Sequence, residues 1–187
     1  MKKRVFIAIN LPENIKDKIE KSLESLKEDF INDALFISRN NWHITVSFLG
    51  WQGDESIYPI LKGMKETIKD FSRFKIEIDE ISYGPKNKPP RMIWLNCGKN
   101  TSKDLSALKD SLESKLMDKG LIFKQEHRQM KAHITLARFQ AADTNGLPDI
   151  KTNLNLNFEA ETMDLMESHL ARSGAKYEIM QRFPFHN

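Results

Sequence analysis

Two hexapeptides, His43-Ile44-Thr45-Val46-Ser47-Phe48 and His133-Ile134-Thr135-Leu136-Ala137-Arg138, stand 90 residues apart and restrict the fold more than any other feature. Each reads as a β-strand with one buried face. Alternate side chains of a strand point to opposite faces, so His and Thr emerge together while Ile44, Val46, Ile134 and Leu136 point into a core. Strict alternation extends the polar face through the small Ser47 and Ala137, leaving room beside the histidines for a ligand. The stretches around the motifs also run in parallel: strand, helix, short strand, His-x-Thr strand, connection, strand. VFIAINLPENIKDKIEKSL lies beside MIWLNCGKNTSKDLSALKDSL at an offset near 88, close to that of the motifs. The expectation is one domain over residues 1–187, with a pseudo-repeat of roughly 4–82 and 91–183 and two similar lobes about a pseudo-twofold axis.

The remaining pattern fills in the elements. Val5–Leu11 is a strand stopped by Pro12. Ile15, Ile19, Leu23, Leu26 and Phe30 recur at helical steps and predict one amphipathic helix over 13–30. Short strands follow at Leu35–Ile37 and His43–Leu49, then a helix over 54–71 and a strand at Phe74–Ile81. In the second half the pattern predicts a strand at Arg91–Cys97 and a helix over 102–119 stopped by Gly120. Strands follow at 121–124 and 132–139, then the polar loop AADTNGLPD, a weakly alternating strand Leu154–Met166, and a last strand Ala175–Phe183.

No apolar run approaches the ~20 residues that cross a bilayer, and MKKRVFIAIN turns polar too early for a secretory leader. The single cysteine, Cys97, excludes an intramolecular disulfide and fits a reducing compartment, so a cytoplasmic protein is expected. A net charge of +3 permits a phosphate or nucleic-acid ligand without demanding one. Lys86, Lys88 and Arg91 concentrate charge in the loop GPKNKPPR, readable either as a contact for such a ligand or as a solvated loop.

The chemistry rests on the paired imidazoles. Breaking a phosphodiester needs a base to activate water and an acid to protonate the leaving oxygen, and imidazole does either near neutral pH. Two imidazoles flanking a phosphate can hold opposite protonation states, and threonine hydroxyls can donate to its oxygens. No metal-ligand spacing, P-loop or dinucleotide fingerprint is present, so neither metal nor cofactor is expected. His127, His169 and His186 read as structural or solvent-exposed. Cys97, Trp94 and Tyr83 read as core rather than as nucleophile or base-stacking surfaces, and Arg91 as a candidate RNA-backbone contact. Trp42, beside the first histidine, reads as a stacking surface or as cover for a lobe edge.

NWHITVSFLG and KAHITLARF resemble the signatures of the two-histidine (2H) phosphoesterases, specifically the RNA 2′,3′-cyclic phosphodiesterases, also called 2′-5′ RNA ligases. VFIAINLP, PRMIWLNCG and SHLARSGAKYEIMQRFPF extend the likeness over essentially the whole chain. The resemblance implies a bilobal α+β fold, with two antiparallel sheets meeting at a central groove and helices outside. It implies His43 as the acid that protonates the departing 3′ oxygen, leaving a 2′-phosphate, and His133 as the base that activates water. Thr45 and Thr135 would hold the phosphate, Arg138 would add positive charge there, and Phe48 would pack near the terminal base. Strict alternation sets Phe48 and Arg138 on the face opposite their histidines, so either the strands bulge or twist after the threonines, or the side chains reach around a strand end. The implied partners are RNA 3′ ends or nucleotides bearing a 2′,3′-cyclic phosphate, such as tRNA fragments, with no membrane and a monomeric state. A 2′-5′ ligase, a hydrolase of small cyclic or 2′-5′-linked nucleotides, and a non-catalytic RNA-binding module are the alternatives.

Overall fold

Among the described residues, β-branched and aromatic side chains at alternate positions build nine strands, and leucine or isoleucine at three- and four-residue steps builds four helices. The computed structural model describes residues 1–30, 34–86, 88–126, 129–140, 147–150, 152–171 and 174–187. In chain order these are β1 Lys2–Asn10, α1 Glu13–Ser22, α2 Glu24–Asp29, β2 Ala34–Phe36, β3 His43–Gly53, α3 Asp54–Thr67, β4 Phe74–Gly84 and β5 Met92–Cys97. Then come α4 Lys99–Asp118, β6 His133–Phe139, β7 Thr152–Ala160, β8 Thr162–Ala171 and β9 Gly174–Pro184.

All these strands pair antiparallel in the order β7-β4-β5-β6-β3-β1-β8-β9, with β2 on β6. β6 and β3 meet at a single register pair, Ile44 opposite Ile134. The two expected sheets are therefore halves, β7-β4-β5-β6 and β3-β1-β8-β9, of one continuous curled sheet. Each half mixes strands from both parts of the chain. β4 lies with β5, β6 and β7, whereas β8 and β9 lie with β1 and β3, so the halves do not coincide with residues 4–82 and 91–183.

The helices cover one face. Ile15 and Ile19 of α1, Ile60 and Met64 of α3, and Leu105, Leu108, Leu112 and Leu116 of α4 share a core with Val5, Ile7, Ile9, Ile44, Val46, Ile134 and Leu136. Each such side chain contributes about 1.5–3 kcal/mol on burial. α4 ends as its sequence suggests. Gly120 takes φ +76°, and the amides of Gly120 and Leu121 donate back to Met117 and Leu116, closing the last turn. A second, smaller cluster of Phe6, Ala8 and Met166, with Tyr177 against it, lies on the opposite face.

Three segments depart from expectation. The helix predicted over 13–30 breaks at Leu23, whose amide is shared between the Ile19 and Glu20 carbonyls; the apolar stripe survives the bend because Leu23, Leu26 and Phe30 remain buried. No strand forms at 121–124: Leu121 is buried, but Ile122 is 89% exposed and the backbone there finds no ladder. The stretch Leu154–Met166 holds a corner at Glu161, which sends β7 to one edge of the sheet and β8 to the other half. Residues 141–146 of the polar loop AADTNGLPD lie outside the described residues. Among the described residues no helix is long and apolar enough to cross a membrane.

Candidate active site

The two motif strands carry the same burial sequence, partly buried and buried in turn through Thr45 and Thr135, then two buried residues, then an exposed one. A bulge at the same place in each strand causes this. On β3, Thr45 pairs with Ala8 and Ser47 with Ile7, so Val46 is the additional residue. On β6, Thr135 pairs with Trp94 and Ala137 with Ile93, so Leu136 is. A bulge turns every later side chain over. Ser47 and Ala137 therefore face the helices rather than extending the polar face, and Phe48 and Arg138 emerge on the face of the histidines. Ser47 donates to the buried Glu113 carboxylate of α4 at 2.7 Å, which fixes the turned-over strand.

The histidines are tethered alike. Nδ1 of His43 donates to the Asn41 carbonyl at 2.7 Å, and Nδ1 of His133 donates to that of Lys131 at 2.8 Å. A carbonyl can only accept, so each ring keeps its Nδ1 proton and leaves Nε2 as the nitrogen that can gain or lose one. For His43, Nε2 lies 3.0 Å from the Thr45 hydroxyl. The rest of each setting differs. The His43 ring packs against Phe6 at 4.9 Å and the edge of Tyr177 at 5.1 Å. His133 lies against the face of Trp94 at 4.0 Å. The small Ala8 opposite Thr45 and the large Trp94 opposite Thr135 account for much of this asymmetry.

Burial depresses the His43 pKa to about 4, outweighing the rise from the Asn41 hydrogen bond, and weaker repulsions from His133 and Arg138 add to it. A pKa of about 4 leaves His43 neutral at pH 7. The same repulsion shows that His133 and Arg138 share its electrostatic surroundings. Arg138 is exposed, between Met92 of β5 and Leu35 of β2 in the register. Phe48 is 45% exposed and stacks parallel to Phe6 at 6.1 Å.

Sequence reasoning missed the supporting shell. Asn10 is opposite His43 and Asn96 opposite His133. Asn10 donates to Asp164 at 2.7 Å, and Asn96 to Ser82 at 2.7 Å. An asparagine in the same place of two apolar strands was the signal available. Trp94, read as core, instead lies partly buried on the open face against His133. Trp42 is not a stacking surface: it is 2% exposed and donates to the Ile37 carbonyl at 3.1 Å.

Cys97 is buried in the core, where burial pushes its thiol up to about 12, far from a nucleophile's range. Tyr83 packs on Phe30 and Phe139 and donates to the Pro148 carbonyl at 2.6 Å. His169 faces Glu178 at 3.4 Å, and His186 and Arg91 are exposed. Lys86 pairs with Glu80 at 3.5 Å, Lys88 is exposed, and His127 lies outside the described residues. Among the described residues no three His, Cys, Asp or Glu side chains gather as metal ligands.

Comparison with known proteins agrees with this geometry. The family model of the AKAP7 2′5′ RNA ligase-like domain matches residues 5–182. A Methanocaldococcus jannaschii protein named RNA 2′,3′-cyclic phosphodiesterase is 30% identical, over 96% of this chain and 99% of its own. A Bacillus subtilis protein of the same name is 26% identical, over 95% and 94%. Among solved structures, Escherichia coli LigT complexed with 3′-AMP superposes with a TM-score of 0.78 at 22% identity, over 100% of both chains. A Thermus thermophilus protein does so with 0.80 at 21% identity, over 97% of each. Matched over nearly its full length, and carrying two tethered histidines on one open face, the chain belongs to the 2′-5′ RNA ligase-like family of two-histidine phosphoesterases.

Proposed function

We propose that this chain is a hydrolase that opens RNA 2′,3′-cyclic phosphate ends to 2′-phosphates by acid–base catalysis between His43 and His133. The observation that carries the reading is the pair of His-x-Thr strands, each with the same Nδ1 tether and the same bulge, presenting two Nε2 nitrogens to one face. His133 takes a proton from water as the water oxygen attacks phosphorus. The P–O3′ bond breaks, and His43 delivers its Nε2 proton to O3′, leaving the phosphate on O2′. Thr45 and Thr135 donate to the non-bridging oxygens, whose charge grows in the transition state. Arg138 adds positive charge there, and Phe48 takes the terminal base.

The acid role needs a protonated His43, and with a pKa of about 4 that imidazole is neutral at pH 7. An anionic phosphate beside the imidazole attracts the positive charge that burial disfavours and offsets the repulsion from Arg138, so His43 gains its proton as substrate binds. The curated relatives carry the name of this activity, which supports an RNA end, such as that of a tRNA fragment, as the substrate. The proposal includes a single-domain, monomeric, cytoplasmic protein.

The test is incubation in EDTA with a short RNA ending in a 2′,3′-cyclic phosphate, followed by phosphorus NMR of the product. A 2′-phosphate is expected. A 3′-phosphate reverses the leaving group and the roles of the histidines, and no turnover by folded protein overturns the reading.

A further inference from the structure

The open face does not end at Phe48. A second bulge, at Leu49, sets Gly50 opposite Val5 and Trp51 opposite Arg4. Gly50 takes φ +74°, which a residue with a side chain adopts only with strain. Trp51 is 60% exposed, three positions beyond the half-exposed Phe48. The Arg4 guanidinium carbon stands 4.7 Å from the centre of the Phe48 ring, and its Nη1 lies 3.3 Å from the Ser168 hydroxyl. Neighbouring Lys3 is neutralised by Glu167 at 2.6 Å, whereas Arg4 forms no ion pair among the described residues.

We infer that Arg4 and Trp51 form a subsite for the nucleotide on the 5′ side of the terminal one, a deepening that rests on the proposed phosphodiesterase reading. The start of β3 is closed, because Asn41 donates to the Ala175 carbonyl at 2.7 Å and accepts from the Tyr177 amide at 3.3 Å, tying β9 across it. An RNA strand whose 3′ end lies at the histidines leaves along β3 in the other direction. Same-face positions on a strand are about 7 Å apart, so Trp51 follows Phe48 as the next stacking surface. Indole stacks on any base, and the unpaired guanidinium suits the linking phosphate. The subsite therefore recognises chain length in single-stranded RNA rather than base identity.

The experiment compares kcat/KM on adenosine 2′,3′-cyclic phosphate with that on a trinucleotide ending in the same group. Wild-type protein prefers the trinucleotide. Trp51→Ala and Arg4→Ala each lower the trinucleotide-to-mononucleotide ratio by about fivefold or more, through KM, and Trp51→Phe recovers most of it. An unchanged ratio in both alanine variants overturns the subsite and leaves the phosphodiesterase reading standing. Wild-type protein that hydrolyses neither substrate overturns both.

Discussion

Trp94 lies against His133 with ring centroids 4.0 Å apart and planes 28° from parallel. An indole face attracts a cation by about 0.5–2 kcal/mol, so it stabilises the imidazolium that forms when His133 takes its proton. Trp94→Leu is expected to lower kcat about tenfold, and Trp94→Phe less, while circular dichroism stays that of the folded protein. The ring also depends on Gly84, where a Cβ would collide with the Trp94 indole. Gly84→Ala is expected to displace the indole and reproduce the loss. Wild-type kcat in Trp94→Leu would mean that the stack supports packing alone.

His43 provides a test through pH. Its folded pKa of about 4 lies below the ~6.5 of a free imidazole. Between those values the unfolded chain holds more protons, so stability falls as pH drops from 6.5 towards 4, by up to about 3 kcal/mol. Urea unfolding at pH 7 and pH 4.5 should show a larger loss for wild type than for His43→Gln, which cannot titrate. Imidazole NMR should show the pKa rising when inorganic phosphate binds; no movement would sink the proposed proton uptake.

Replacing either catalytic nitrogen should act on turnover rather than on binding. His43→Ala and His133→Ala are each expected to lower kcat by about 100-fold or more with KM little changed, because acid and base act in the transition state. A bell-shaped pH–rate profile should accompany wild-type turnover, in EDTA as in its absence. Near-full activity in either variant contradicts the division of labour.

Beneath the first bulge, Glu113 accepts from Ser47 at 2.7 Å and from Lys109 at 2.9 Å, with both charged side chains largely out of solvent. Glu113→Ala strands the Ser47 hydroxyl and leaves the Lys109 ammonium, among the described residues, only the Glu126 carbonyl, at a cost of about 2 kcal/mol; Ser47→Ala costs about 1 kcal/mol. Urea unfolding measures both. A loss under about 1 kcal/mol for Glu113→Ala would show that this carboxylate does not anchor the strand.

Much of this was legible in the letters. His43 and His133 announced themselves by period-two alternation, whereas the order of elements around them gave no hint that the halves of the sheet exchange strands. The same alternation misplaced Ser47 and Ala137, because a bulge is a property of two paired strands and leaves no mark on one. Phe48 and Arg138 were doubtful for that reason alone. Trp94 left the core for the face, because an indole between Ile93 and Leu95 fits either. Trp42, which was open between a stacking surface and cover for a lobe edge, is buried. The corner at Glu161 was hidden by weak alternation, which continues on both sides of it.

The exchange of strands between the halves of the sheet bears on how the chain folds. Residues up to β4 supply β1 and β3 but leave β1 without β8, and they contribute β4 and the short β2 to a half-sheet whose β5, β6 and β7 come later. Neither half-chain closes its own ladder, so a fragment cut between β4 and β5 exposes open strand edges. The decisive pairings, β1 with β8 and β4 with β7, join residues far apart in sequence and are slow to form. The two histidines are brought to one face only as the whole chain assembles.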